Sequence, residues 1–588
     1  MARSTTTSKY ASTAKTRHAR WVEDTFARVA RDLARETAAA CATATAMRAE
    51  DVMSALELER EDVAAVRDGT FVDAQWGIDD ADASARGCLR GYARARARID
   101  VMGGVADYSG ATVAQLSAAN STKVMIAVRE NDGDEDEPGA LKTRLSSFRV
   151  VSTSESGVDV FTGAFEKVFH AKTFEAAKTR AAFEQGASHD RWAAYVAGAI
   201  GELFRAIVSD EDDAMEALRR WVRELGARGR ALDVFVSSDV PRGKGVASSA
   251  ALEVATARAM VDLMLRHGLV ARDNARFVAH CATLPLYCHS AENEVVGAPC
   301  GFMDQYACFW GQPGRFLALN CDLAKTSAPN STLEPFRHVD LPQGLRIYAI
   351  DSGVRHSNSG GSDYARVRCG TFMGKKMLFN EIDARLDRDL NAGELSLCGT
   401  IDVNGWDHGS PGSPESWSRH IDEEMTGELF LSRYIRHDDE PYTVVERSAD
   451  VKYALRSTVH HALHENARVK AFLNILDSWP VGDDAGEKIL DLARALGDLM
   501  FASHESYNTI KLGSTETDTI VAIVRDVDPQ RNLLFGAKIT GGGCGGAVCV
   551  LALDTPDARD AIERVRERFA ATAGTTAKPC MIHAARRP

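Results

Sequence analysis

Between Pro241 and Ala251 the chain reads Pro-Arg-Gly-Lys-Gly-Val-Ala-Ser-Ser-Ala-Ala. Gly243 and Gly245 let a backbone turn tightly and come close to a ligand. Ser248 is suited to cap a helix, and the run from Ala250 to Leu265 is apolar nearly all round, as a buried helix is. Before the loop, Leu232 to Val236 alternates like a half-buried strand. A glycine turn feeding a buried helix aims free N–H groups and the positive dipole end at one point, which makes an anion site. Read alone, the segment is either such a phosphate cradle or a serine-capped turn. It does not match the Walker pattern, because Lys244 comes too early and no hydroxyl follows it directly.

Two other segments have a composition that ordinary packing does not need. Gly541-Gly542-Gly543-Cys544-Gly545-Gly546 places five glycines in six residues, after Ala537-Lys538-Ile539-Thr540. A strand is expected over Ala547 to Leu553, then a helix with Thr555 as cap and Pro556 at its first position. From Tyr92 to Met102 the side chains alternate. Ala93, Ala95, Ala97, Ile99 and Val101 share one face, and Arg94, Arg96, Arg98 and Asp100 the other, before a turn over Gly103 to Gly110. Alone, this is an edge strand with a solvated basic face.

Together and in this order, the three segments resemble the three motifs of the GHMP kinases, the family of galactokinase, homoserine kinase, mevalonate kinase and phosphomevalonate kinase. Two more stretches resemble the sugar kinases among them: Ala291 to Gln305, and Asp351 to Ser357 followed by Gly360 to Tyr364. Within that group the chain is similar to the plant L-arabinokinases. That likeness rests on Arg98 to Gly110, Trp192 to Gly198, Lys244 to Val246, Met425 to Glu428 and Glu465 to Phe472, and spans roughly residues 88–555.

The resemblance implies an α+β fold of two domains, an N-terminal ribosomal-protein-S5-like mixed α/β domain and a C-terminal ferredoxin-like α+β domain, with the active site between them. It divides the chain at 88–335 and 336–588, after a tail over 1–22 and a helical extension over 23–87. It implies ATP and Mg²⁺ as cofactors and a sugar as substrate, phosphorylated at its anomeric hydroxyl. Arg98 and Asp304 are the implied catalytic residues, Asp304 as the base and Arg98 beside the transferred phosphoryl. Pro241, Gly243, Lys244, Gly245, Val246, Ala247, Ser248, Ser249, Ala250, Gly541, Gly542 and Gly543 are the implied ATP contacts, and Ser249 and Glu292 the Mg²⁺ ligands. Asp107 and Tyr364 match contacts to sugar hydroxyls. The bland readings stand beside these: Asp304 as a buried structural carboxylate, and Ser249 as a helix-start hydroxyl bonded to its own backbone.

Gly104-Val105 stands where galactokinases carry Glu-His, whose acidic member helps hold the C6 hydroxymethyl of galactose. L-Arabinopyranose shares the ring configuration but lacks that group, so the substitution points to L-arabinose. A galactokinase or glucuronokinase of the same family remains open, as does a non-catalytic sugar and ATP sensor with a kinase fold. The family usually has Pro-Gly before the arginine of the first motif, and Arg96-Ala97 replaces it here. Cys300 and Cys544 are expected to be packing residues, His356 a structural hydrogen-bonding group, and His460, His461 and His464 not to bind metal.

These residues need a large scaffold, and 588 residues allow two or three domains. A net charge of −13 excludes the basic footprint of a nucleic-acid partner. Twelve cysteines without a CxxC pair suit reduced, mostly buried thiols. No apolar run reaches the length of a membrane span. Small-molecule sugar and ATP are the expected partners, and oligomeric state is left open. The first twenty-two residues hold no acid and are rich in Ser, Thr, Ala, Lys and Arg, as either a basic tail or a transit peptide is. The expected location is the cytoplasm, or a plastid or mitochondrion if that stretch is a transit peptide. Two helices are expected over 21–66, beginning at Trp21 and near Ala49, with a solvated acidic loop over 129–139 and a surface insertion over 396–418.

Overall fold

The structure, a computed structural model, describes Ser54, Leu56 and residues 88–587 except 131–145, 155–156, 171–172, 227–229, 323–334, 356–362, 387–394, 409–415, 481–485 and 575–578. The basic tail, His356 and the acidic loop beyond Glu130 lie outside the described residues. Of the two expected N-terminal helices, only Ser54 and Leu56 are described, and both are helical.

The N-terminal sheet is built around one long strand. β1 (Leu89–Met102) runs antiparallel to β2 (Thr112–Glu130), and β2 gives its other edge to two partners in turn. A hairpin, β3 (Ser147–Ser154) and β4 (Gly157–Ala164), precedes helices α1 (Ala176–Glu184) and α2 (Ala193–Ser209). β5 (Arg230–Ser238) pairs with β3 in parallel and with β2 antiparallel. It leads through the glycine loop into α3 (Ser248–Arg266), and α4 (Met303–Trp310) follows further on. β6 (Arg315–Asn320) and β7 (Phe336–Asp340) complete the order β4–β3–β5–β2–β6–β7, with β1 on β2. Because β7 pairs with β6, the expected boundary at 335/336 is corrected: the N-terminal domain runs through Asp340.

Two sequence expectations fail in this sheet. β5 was expected to be half-buried, yet Ala231 to Val236 are all buried. Its polar member, Asp233, is closed off by Arg129 and Arg149, 2.7 and 3.1 Å away. β1 hydrogen-bonds only β2, as an edge strand should, but its polar face is not solvated: Arg98 is 2% and Asp100 0% exposed. Loops from remote parts of the chain cover that edge. Arg98 N donates to Val246 O at 3.3 Å, Asp100 N to Thr540 Oγ1 at 2.8 Å, and Gly103 N to Glu465 Oε1 at 3.0 Å. Ala97, in place of the family's glycine, sits buried in the strand beside an irregularity between Arg96 and Arg98.

The C-terminal part opens with β8 (Leu345–Asp351) and the long helix α5 (Asp363–Leu386). After α6 (Val403–His408) come α7 (Arg456–Asp477), α8 (Gly486–Thr509) and α9 (Thr515–Val527). β9 (Leu534–Ile539), β10 (Ala547–Leu553), α10 (Pro556–Thr572) and β11 (Met581–His583) finish the chain. The sheet order is β9–β10–β8–β11, all antiparallel, with helices after its first and third strands. That is the ferredoxin-like arrangement. β10 has the expected bounds and α10 the expected start: the Thr555 side chain accepts from Ala558 N, with Pro556 opening the helix.

The stretch 396–418 is not a surface insertion where it is described. Trp406 and Trp417 are 0% and 1% exposed and join Met373, Phe379, Phe430 and Leu455 in a core of their own. Its Gly, Pro and Ser content concealed two aromatic anchors. Among the described residues no helix is long and apolar enough to cross a membrane.

Candidate active site

The three motifs meet where the two sheets join, and Asp100 is the knot. Its Oδ1 accepts from Gln115 Nε2 at 2.8 Å, and its Oδ2 from Gly541 N at 3.2 Å. Lys538 Nζ lies 3.3 Å from the same Oδ2, and both side chains are fully buried. Lys538 thus pins β9 to β1, and with it the third-motif loop to the first.

The two glycine loops then lie backbone against backbone. A Cβ on Gly245 would stand 2.5 Å from Thr540 O, and one on Gly541 2.5 Å from Gly245 O. Both have left-handed φ, +70° and +75°. Gly245 is therefore required by the opposite loop as well as by any phosphate. Gly245→Val is expected to weaken nucleotide binding and to destabilise the protein together, by ~1–3 kcal/mol from backbone strain alone. Parallel nucleotide titration and thermal denaturation check this, and an unchanged melting temperature would show that the loops are not in register here.

The second motif corrects one detail of the sequence reading. Ala247, at φ +61°, is the residue before α3, and no side chain caps the helix; Ser248 is its first helical residue. The first-turn N–H groups are left to a ligand. They face a cavity of about 880 Å³, lined at this end by Gly243, Gly245, Ala247, Ser248, Ser249 and Gly542. Pro241, Lys244, Val246, Ala250, Gly541 and Gly543 do not line it. Val246 and Ala250 are buried, and Lys244 reaches Asp351 at 2.9 Å. The far wall is apolar and aromatic, with Phe183, Trp192, Tyr195 and Val295, beside Arg191 and the ion pair of Arg180 with Glu184 at 2.7 Å. Trp192, Tyr195 and Val295 lie in segments that carried the family resemblance, but sequence reasoning gave none of these wall residues a role.

At the inner end, Arg98 and Asp304 line the cavity as a pair. Arg98 Nε and Nη2 donate to Asp304 Oδ1 at 3.0 and 2.7 Å, and Nη1 donates to Gly245 O at 2.7 Å. Both bonds to the carboxylate fall on Oδ1, so Oδ2 takes part in neither. Asp304 sits in the first turn of α4, its side chain 22% exposed.

Glu292 lies on a π-helical turn, Ala291–Val296, of the kind that often marks functional sites. Burial and the nearby Asp304 charge push its carboxyl up to about 7, against hydrogen bonds from Ser249, Cys300 and Gln305. Gln305 Nε2 donates to Glu292 Oε2 at 2.8 Å and to Glu253 Oε2 at 3.2 Å. Glu253, fully buried on α3, is pushed well above the carboxylate range by burial and then by Glu292. The sequence reading missed this clamp; Gln305 adjoins Asp304, but Glu253 sits among apolar residues. A serine hydroxyl beside a buried carboxylate, with a second carboxylate near, is a hard-oxygen donor set that fits Mg²⁺.

Asp107 and Tyr364 come together on the other side of Asp304. Asp107 is 2% exposed, accepts from Met303 N at 3.3 Å, and is pushed up to about 6 by burial and by Asp304. Tyr364 is buried beside it, edge-on to Tyr108 with ring centroids 6.2 Å apart. One turn along α5, Arg368 forks onto Asp439 at 2.8 and 2.7 Å and lies over the Tyr108 ring. Its spacing of four from Tyr364 was a helical signal that could have found it.

Gly104 and Val105 do not line the cavity. A Cβ on Gly104 would collide with the Tyr507 hydroxyl and the Asp100 carboxylate. Val105, 2% exposed at φ +60°, packs with Tyr364 and Tyr507. The glycine is thus a packing requirement, with Tyr507 in the space a side chain would need. Cys300 is a buried thiol pushed well up by burial, and Cys544 N donates to Leu512 O at 2.6 Å, so both pack as expected. Of the three histidines on α7, His461 turns inward, its Nε2 3.1 Å from Gly104 O.

Comparison with known proteins places this geometry in context. The GHMP kinases N terminal domain matches residues 212–312, and the GHMP kinases C terminal domain matches residues 489–571. L-arabinokinase of Arabidopsis thaliana is 31% identical over 82% of this chain, which spans only 44% of that protein. Galactokinase of Streptomyces coelicolor is 29% identical over 60% of this chain and 69% of its own length. Among solved structures, Lactococcus lactis galactokinase complexed with galactose superposes with a TM-score of 0.51. That match covers 84% of this chain and 93% of the other at 18% identity, a likeness of fold.

Proposed function

We propose that the chain, whose residues 212–312 and 489–571 match the N- and C-terminal domains of the GHMP kinases, is an ATP-dependent sugar kinase acting on the anomeric hydroxyl of L-arabinose. The observation that carries this reading is the position of Asp304, paired with Arg98 on the side of the glycine loops and neighbouring Asp107 on the other. Phosphates bound at the open end of α3 would present the terminal phosphoryl to Arg98. Ser249 and Glu292 would hold Mg²⁺, which supplies charge neutralisation on the phosphates. A sugar held by Asp107 and Tyr364 would bring its anomeric hydroxyl to Asp304. The hydroxyl oxygen bonds the γ-phosphorus, the bond to the β–γ bridging oxygen breaks, ADP leaves, and the proton passes to Asp304. Arg98 meets the charge that grows on the phosphoryl oxygens.

The likeness to the arabinokinase favours L-arabinose. Gly104, kept bare by packing against Tyr507 and Asp100, agrees with it in offering no acidic side chain for a hydroxymethyl group. Measured by coupled ADP release over a panel of aldoses, kcat/KM for L-arabinose is expected to exceed that for D-galactose by about 10-fold or more. A preference for galactose would overturn the pentose assignment and leave a sugar kinase. No ADP release with any aldose would overturn catalysis itself and leave a sugar and ATP sensor.

A further inference from the structure

His460 and His464 stand one turn apart on the outer face of α7, four positions that place two side chains side by side. Their rings stack with centroids 3.8 Å apart and planes 18° from parallel. Asp407, from α6, reaches the same point: its Oδ2 lies 3.2 Å from His464 Nε2. One donor atom from each of the three residues lies within 4.8 Å of the other two. His460 is exposed, while Asp407 and His464 are half-buried, so the cluster opens to solvent on one side.

We propose that Asp407, His460 and His464 form a site for a late first-row divalent cation such as Zn²⁺, which ties the α6 segment to α7. Two imidazole nitrogens and one carboxylate, with water in the open position, are a donor set that suits Zn²⁺ rather than Mg²⁺. This separates it from the oxygen set of Ser249 and Glu292 in the cavity. Tetrahedral ligands at zinc distances stand ~3.4 Å apart. The His464–Asp407 pair, at 3.2 Å, is close to that, and His460 has a donor atom within 4.8 Å of both.

The placement gives the ion a structural consequence. The opposite face of α7 holds the first-motif turn: His461 meets Gly104 O, and Glu465 Oε1 accepts from Gly103 N at 3.0 Å. An ion on the outer face would fasten the Trp406-bearing segment to the helix that positions the turn before Asp107.

The test uses the untagged full-length protein, stripped with a chelator and titrated with Zn²⁺ against a chromophoric competitor. The wild type is expected to take up one Zn²⁺ that the His460→Ala/His464→Ala variant does not. Asp407→Asn is expected to bind ~10–100-fold more weakly. Cu²⁺ in the same site is expected to show an electron paramagnetic resonance signature of two nitrogen ligands, lost in the double variant. Added Zn²⁺ should raise the melting temperature of the wild type and not that of the double variant. Normal circular dichroism and normal Mg²⁺-supported activity of the double variant confirm that it folds. No uptake by the wild type, or equal uptake by both proteins, overturns the site.

Discussion

Asp304→Asn should turn over sugar ~10²–10⁴-fold more slowly than the wild type, the usual cost of losing a general base. The change is nearly isosteric, so it removes the proton acceptor while keeping the shape of the side chain. It also removes the counter-charge of Arg98, which is 2% exposed and whose Nη1 donates to Gly245 O. The nucleotide contacts at the start of α3 do not involve Asp304, so nucleotide binding should persist. Steady-state kinetics beside a nucleotide titration check both halves. Near-normal turnover would remove Asp304 from the chemistry and leave it as the structural partner of Arg98.

Lys538→Met should cost ~3–5 kcal/mol of stability, because it strips one partner from a buried ion pair and leaves the other charge behind. Lys538 and Asp100 are both 0% exposed, and no solvent can compensate either. Asp100 also receives Gln115 and Gly541, so the stranded carboxylate would disturb the third-motif loop. Urea or thermal denaturation measures the effect. A double-mutant cycle with Asp100→Asn separates the coupling of the pair from the separate costs of each change. A loss below ~1 kcal/mol would mean that the junction rests on the glycine backbones rather than on this pair.

What could be read from the sequence was what short stretches encode by themselves. Thr555 and Pro556 open α10 as their types require, and β10 spans its predicted residues. The glycine loops announced their own bareness, and the family resemblance supplied Asp304, Glu292 and Asp107 as members of one site. What could not be read was pairing at a distance. Arg98 and Asp100 looked solvated because the loops that cover them come from Val246 and Thr540. Ser248 looked like a cap because nothing local says that Ala247 takes a left-handed φ. Trp406 and Trp417 were hidden by glycines and prolines that shape loops around them, and Glu253 by the apolar helix that buries it.

The bond from Gly541 N to Asp100 joins positions 441 apart in the sequence. A growing chain emerges with its N-terminal sheet nearly whole, yet the loop that closes the phosphate site follows Asp100 by 441 positions. Until β9 docks on β1, nothing holds Gly245 and Gly541 face to face. Capacity to hold nucleotide is therefore acquired late, well after the first two motifs have been made. A ligand that binds only this state draws the whole population toward completion.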